Sequence, residues 1–302
     1  MSSIITPEGA VEMIEKEFNF SVDKFPLKGP EGCKPPGWYG LFTSEGDPVG
    51  STSVGKDYVP HRTEDVIALA KASATAFDSD MSCRCHFNSG HFVELAPTKD
   101  YRKSIYGTED NIWPRINIRA GYDGRAFIAT CGWYRDACNN MAMLRSVESA
   151  SVKIRHCADL PDRMEKLIET FGKLKDSWND VGRTIERLEA TQVSFSKFIA
   201  DVYENDKKDT DRKRANYQEL ADVVFNRIIK EREKTGRPEI KQGQWDGKVS
   251  AWEAYNSVQG YAQHGRTRKF AAEPYEKALL AADDYYVKRM EKLMISQGIL
   301  VA

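Results

Sequence analysis

The segment Arg115-Ile116-Asn117-Ile118-Arg119-Ala120-Gly121-Tyr122-Asp123-Gly124-Arg125-Ala126-Phe127-Ile128-Ala129-Thr130-Cys131-Gly132-Trp133 decides the fold. Two β-prone runs flank Asp123-Gly124, a dipeptide that supplies the positive φ angles of a two-residue type I′ turn, so the pattern predicts an antiparallel hairpin. That turn would pair Tyr122 with Arg125, Arg119 with Ile128, Ile118 with Ala129 and Asn117 with Thr130. Side chains alternate along a strand. Ile116, Ile118, Ala120, Phe127, Ala129 and Cys131 therefore share one side, expected to pack inward, while Arg115, Asn117, Arg119, Ile128 and Thr130 share the other.

Upstream, Thr6-Pro7 opens an amphipathic helix with Ala10, Val11, Ile14 and Phe18 on its apolar stripe. The glycine- and proline-rich stretch from Gly29 to Gly37 interrupts regular structure before two strand-like runs, Trp38 to Thr43 and Val49 to Val59. Thr63 is placed to cap a helix from Glu64 to about Phe77. Cys83 to Phe87 and His91 to Ala96 flank Asn88-Ser89-Gly90 and read as a further hairpin.

Downstream, Arg135 to Val147 has a helical pattern, and Val152 and Ile154 alternate with Lys153 and Arg155 in a short strand. Past Pro161 the texture is helical: Asp162 to about Glu204 as one long helix or two with a break near Gly182, then Leu220 to Lys234, Ser250 to His264 and Glu273 to Gln297. Strands first and helices later argue for an α+β fold, an antiparallel, hairpin-rich sheet with packed helices followed by a long-helix region. The expected division is an α+β domain over 1–158 and a helical region over 159–302.

Composition narrows the function classes. With 302 residues, 41% hydrophobic and 29% charged, the chain can bury a full core. No apolar run approaches the roughly 20 residues that span a bilayer, and the acidic N-terminus lacks the order of a signal peptide, so a cytoplasmic protein of a bacterial host is expected, away from membranes. The six cysteines are then read as free thiols. Cys83, Cys85 and His86 lack the second pair that a structural zinc site requires, and no metal is expected.

Gly50-Ser51-Thr52-Ser53-Val54-Gly55-Lys56 has the spacing of a phosphate-binding loop. Asp57 stands where a Mg²⁺-binding hydroxyl belongs, however, and Tyr58-Val59-Pro60 cannot begin the helix that would hold the phosphates. No Gly-x-Ser-x-Gly elbow is present, and the carboxylate pairs Asp78/Asp80 and Asp283-Asp284 read as solvated charge. No catalytic residue or cofactor is assigned, and the reading leans away from an enzyme.

Net charge is −1, but its distribution is uneven: residues 1–98 hold 8 Lys/Arg against 14 Asp/Glu, and residues 99–156 hold 10 against 6. That basic middle interleaves cations with aromatics, the combination needed to neutralise phosphates and stack unpaired bases. The candidate nucleic-acid-binding residues are Arg115, Asn117, Arg119, Arg125, Arg135, Lys153 and Arg155, with Arg266, Arg268 and Lys269 as a second basic cluster. Trp113, Tyr122, Trp133 and Tyr134 are the stacking candidates.

Three segments together resemble a known family. Arg135-Asp136-Ala137-Cys138-Asn139-Asn140, Arg155-His156 and Ala254-Tyr255-Asn256-Ser257-Val258 through His264 are similar to the R-x-x-C-x-N, R-H and A-Y-N-A-V…H signatures of a phage- and plasmid-borne family of unassigned function that includes LtrC-like plasmid proteins. Asn139-Asn140 followed by Met141 departs from the pattern. The resemblance implies DNA metabolism on mobile elements. A hairpin and helix followed by a helical region also resembles the plan of Red-beta-type single-strand annealing proteins.

The expectation is a protein that binds single-stranded DNA, assembles as a homo-oligomer and promotes annealing or recombination without bond chemistry. The alternatives are a phage structural or host-interaction protein built on the long helices, and a metal-dependent nucleotide or nucleic-acid enzyme.

Overall fold

A computed structural model of the chain describes residues 4–29, 37–50, 53–98, 101–107, 110–122, 126–135, 141–142, 151–171, 174–203, 211–240, 247–265 and 284–300. The chain divides into two units, one formed by Met1–Arg102, Trp113–Gly132 and Val147–Trp178, the other by Lys103–Ile112, Trp133–Ser146 and Asn179–Ala302. Antiparallel sheets and helices together make the α+β class.

The first unit begins with β1 (Ile4–Ile5) and α1 (Pro7–Glu17). The Thr6 hydroxyl accepts from the Gly9 amide at 3.2 Å, and Pro7 fills a first-turn position where no N–H is needed. A three-stranded antiparallel sheet follows: β2 (Val22–Pro26), β3 (Trp38–Thr43) and β4 (Val54–Gly55), with β3 in the middle. Of the expected run Val49 to Val59, only Val54–Gly55 forms a strand.

Helix α2 (Thr63–Phe77) starts one residue earlier than expected. Arg62 occupies the cap position without a side-chain cap bond, and Thr63 is the first helical residue, its hydroxyl 3.3 Å from His91 Nε2. β5 (Met81–Phe87) and β6 (Gly90–Pro97) form the expected hairpin, with Ser89 at φ 54 in its turn. A Cβ on Gly90 would lie 2.5 Å from the Ala120 carbonyl oxygen, so only glycine permits the neighbouring strand to close up.

That neighbour is β8 (Asn111–Gly121), which pairs with β6 from Leu95↔Ile116 to Gly90↔Gly121. β9 (Phe127–Arg135) lies beside β8, as the hairpin pattern requires, and β11 (Ser151–Ile154) pairs with β9. Asp123, Gly124 and Arg125 lie outside the described residues. In this unit the strand order is β1-β5-β6-β8-β9-β11. Helices α1 and α2 cover one face, and α3 (Leu160–Phe171) packs on α2 and β11. Ile116, Ile118, Ala120, Phe127 and Ala129 are buried and Cys131 half-buried, while His91 and Phe127 meet His61 on that same face.

The second unit holds β7 (Lys103–Ser104), paired with the start of β8, and β10 (Met141–Ala142), paired with the end of β9. A helix had been expected from Arg135 to Val147. Arg135 instead ends β9 and Met141–Ala142 is a strand, and the rest of that span lies outside the described residues.

Helix α4 (Leu174–Ala190) runs through Gly182 without a break. The span holds three helices instead of one or two: α3 ends at Phe171, residues 172–173 lie outside the described residues, and α4 is followed by β12 (Gln192–Ser194), which pairs with β13 (Lys248–Ser250), and by α5 (Phe195–Tyr203). Helices α6 (Asp211–Lys234), α7 (Ala251–Gly260) and α8 (Tyr285–Ser296) complete the unit, and the π-turn Tyr261–Gly265 extends α7. The expected helix from Glu273 is seen from Tyr285, and residues 266–283 lie outside the described residues.

Every residue of α7 is buried, and it packs against both α6 and α8. Ser250 and Glu253 form a reciprocal capping box at its start.

Candidate nucleic-acid interface

Strand register places the chemistry. Arg84 pairs with Glu94, and Glu94 with Asn117, so these three share one face across β5, β6 and β8. Trp113, Arg115 and Arg119 point the same way by alternation along β8. It is the face opposite α1 and α2, because His91 and Ile118, one residue out of phase, lie in the helix-covered core.

This face carries an excess of cations. Arg84 lies 3.9 Å and Arg115 3.6 Å from the Glu94 carboxylate, with side chains 52% and 19% exposed. Arg119 is half-buried. Exposed Arg102 lies over the half-buried Trp113 ring at 4.3 Å, a cation–π pair that adds a fourth guanidinium. Of these arginines, Arg84 and Arg115 approach the Glu94 carboxylate. The centre is drier: Asn117 and Thr130 are buried, as is Phe92, whose ring stands 4.6 Å from that of His86.

The sequence-derived set divides accordingly. Arg115, Arg119 and Trp113 belong to this face, and Arg155 is exposed just past β11. Asn117 is on the face but buried, so it cannot reach out to a phosphate as expected.

Arg135, Tyr122 and Trp133 are corrections. Arg135 is only 2% exposed and donates from Nε to Asp110 at 2.7 Å, with Glu231 as a second acid partner. Tyr122 is fully buried, its ring 4.1 Å from His61 and its hydroxyl donating to the His61 carbonyl at 3.1 Å. Trp133 packs against Trp252 with ring centroids 6.1 Å apart. Buried rings cannot serve as stacking platforms. Arg125, Arg266, Arg268 and Lys269, and the side chains of Tyr134 and Lys153, lie outside the described residues.

Arg84 and Arg102 were missed. Arg84 sits inside Cys83-Arg84-Cys85-His86, a segment weighed only as a metal cluster and set aside, although alternation with two inward cysteines already pointed it outward. Nothing in the sequence near Arg102 signals its approach to Trp113. Among the described residues no group of three or more His, Cys, Asp or Glu is arranged to hold a metal ion. No helix among them is long and apolar enough to cross a membrane.

Two interior networks include or adjoin His156 and Tyr255, described members of the segments that carried the family resemblance. In the first unit His156 stacks on Tyr58 at 4.7 Å and donates from Nδ1 to the Val59 carbonyl at 3.1 Å. His61 Nε2 lies 3.0 Å from His91 Nδ1. Burial, then the nearby His91 and His156, holds His61 well below the usual imidazole pKa, and burial takes His91 down to about 3.

In the second unit Arg232 grips Glu253 through two bonds of 2.6 and 2.9 Å, and Arg237 adds a third of 2.5 Å. Burial by itself would raise the Glu253 carboxyl, but the bonds from Arg232 and the Ser250 amide, with the charge of Arg237, outweigh it and hold the pKa below its usual range. Arg237 also lies 3.6 Å over the ring of Tyr106, whose hydroxyl bonds Ser250 and is pushed up to about 12, chiefly by burial. Tyr255 of the Ala-Tyr-Asn segment faces inward and donates to Glu291 at 3.4 Å.

No curated protein and no solved structure matches the chain. A family model does, across residues 51–292, and by that match the chain belongs to the DUF932 family, a domain of unknown function.

Proposed function

We propose that the protein binds single-stranded nucleic acid, DNA in the first instance, across the face of the first unit's sheet opposite α1 and α2. The observation that carries the reading is the convergence of Arg84, Arg102, Arg115 and Arg119 on a face where Glu94 is the acid on the strands. Guanidinium groups on two strands, β5 and β8, and a neighbouring loop suit a backbone of repeating phosphates. Trp113, half-buried under Arg102, is the aromatic side chain of this face that the reading assigns to base stacking. The likeness of its segments to phage- and plasmid-borne proteins fits a role in annealing or recombination on a mobile element, as an oligomer in the cytoplasm of a bacterial host.

The test is a salt series of oligonucleotide binding followed by fluorescence anisotropy. Four phosphate contacts on a single strand give a slope of log K against log salt of about −3. Arg84→Glu with Arg102→Glu should flatten the slope and weaken binding to every sequence alike. A wild-type response flat in salt, or equal binding by the folded double variant, overturns the proposal.

A further inference from the structure

His86 stands two residues from Arg84 on β5 and therefore on the same side of the strand. We infer that His86 is a further phosphate contact of this face, and that its protonation tightens the hold on a single strand as pH falls. The inference rests on the reading of the face as a nucleic-acid interface and adds to it a residue and a control by protons.

Register fixes the surroundings of the ring. His86 pairs with Phe92 on β6, and Phe92 with Arg119 on β8, so the three form one row across the sheet beside the row of Arg84, Glu94 and Asn117. His86 is exposed, whereas Phe92 is buried, its ring 4.6 Å from the imidazole and tilted 42° to it. The buried phenyl ring is a firm support for an imidazole that stays open to water. The other four histidines are placed differently. His61 and His91 are buried, 3.0 Å apart between ring nitrogens, and half-buried His156 is tied to the Val59 carbonyl. His264 is exposed, but in the second unit.

Among the described residues, the charged groups on the side of His86 are Arg84 along β5, Glu94 diagonally across on β6 and, beyond Phe92, Arg119 on β8. β1 brings no charge, since Ile4–Ile5 pairs with Met81–Ser82, and α1 packs on the strand's other face, where Glu17 acts on Cys85. Imidazole changes charge between about pH 5 and pH 8, and the imidazolium has two N–H donors and no acceptor, which suits a phosphate oxygen. Below that window His86 adds a cation to the four arginines. Above it the ring is neutral and the contact weakens. A phosphate beside the ring favours its charged form, so binding takes up a proton and, by linkage, acid strengthens binding.

The test is fluorescence anisotropy with a labelled oligothymidylate, whose bases stay neutral in this window, across a salt series at about pH 5.5 and about pH 8. The wild type should bind about five-fold more tightly at the lower pH, with a slope of log K against log salt steeper by about 0.7, the share of one phosphate on a single strand. His86→Asn should bind at both pH values as the wild type does at the higher one, and His86→Lys should bind tightly at both. Acid weakening of the fold through His91 would lower binding in all three proteins, the opposite sign, and circular dichroism at the lower pH reports the folded fraction. Equal affinity of folded wild type at both pH values, or a gain in acid retained by folded His86→Asn, overturns the inference while salt-dependent binding stands. Absence of salt-dependent binding at both pH values removes the nucleic-acid reading itself, and this inference with it.

Discussion

Arginine does opposite work in the two units. On the first unit's sheet Arg84 and Arg115 approach one Glu94 at 3.9 and 3.6 Å, Arg84 with half of its side chain in water and Arg115 with about a fifth. In the second unit Arg135 is enclosed between Asp110 and Glu231, and Arg232 and Arg237 close on Glu253 at 2.5 to 2.9 Å. The difference lies in burial and in how closely the carboxylate is approached, not in the residue type. A buried guanidinium must be matched by carboxylates because desolvation is otherwise prohibitive, whereas an exposed one leaves its charge for a partner.

The largest effect should come from the enclosed side of this contrast. Arg135→Ala strands Asp110 and Glu231 without their cation and should cost about 3–5 kcal/mol of stability, read from the urea midpoint at constant m-value. Restoring stability by Asp110→Asn in the Arg135→Ala background would sharpen the assignment, and a midpoint unchanged by Arg135→Ala would break it.

Acid should come next, and it acts on the first unit. The folded pKa of His91, about 3, lies below the unfolded value near 6.5, so the unfolded chain takes up the proton first. The stabilisation held by neutral His91 is complete above pH 6.5 and is lost as pH falls toward 3. His91→Phe should flatten thermal stability across that window, and an undiminished acid dependence in the variant would dismiss the histidine cluster as its source.

A smaller effect is expected at Trp113. Its replacement by Ala should weaken oligonucleotide binding by about 1–3 kcal/mol if a base stacks on the ring. A loss equal for single strands and blunt duplexes would argue against stacking. Smallest in stability is Arg84→Gln, whose exposed side chain should move the unfolding midpoint by less than about 0.5 kcal/mol while removing roughly one phosphate contact from the salt slope.

Local rules reach some elements and not others. The β5–β6 and β8–β9 pairs were visible because turn residues and two-residue alternation act within a few positions, and α1 followed from Thr6-Pro7 and its apolar stripe. The helical pattern over Arg135 to Val147 misled because β9 extends to Arg135 and Met141–Ala142 pairs back onto its Trp133–Tyr134, and that pairing overrode a local preference. A break in the long helical stretch came at Gln192–Ser194, where pairing with β13, more than fifty residues on, outweighs what Gly182 does to the helix around it.

By itself the sequence determined the α+β class, the inward face of the β8–β9 pair and the location of a basic middle, since each depends on composition or on short-range periodicity. Which arginines meet water was decided only in three dimensions. Arg102 comes to lie over Trp113, and Arg135 sinks between Asp110 and Glu231, the latter nearly a hundred residues on, and the free energy of a charge depends on such neighbours and not on the residues beside it in sequence.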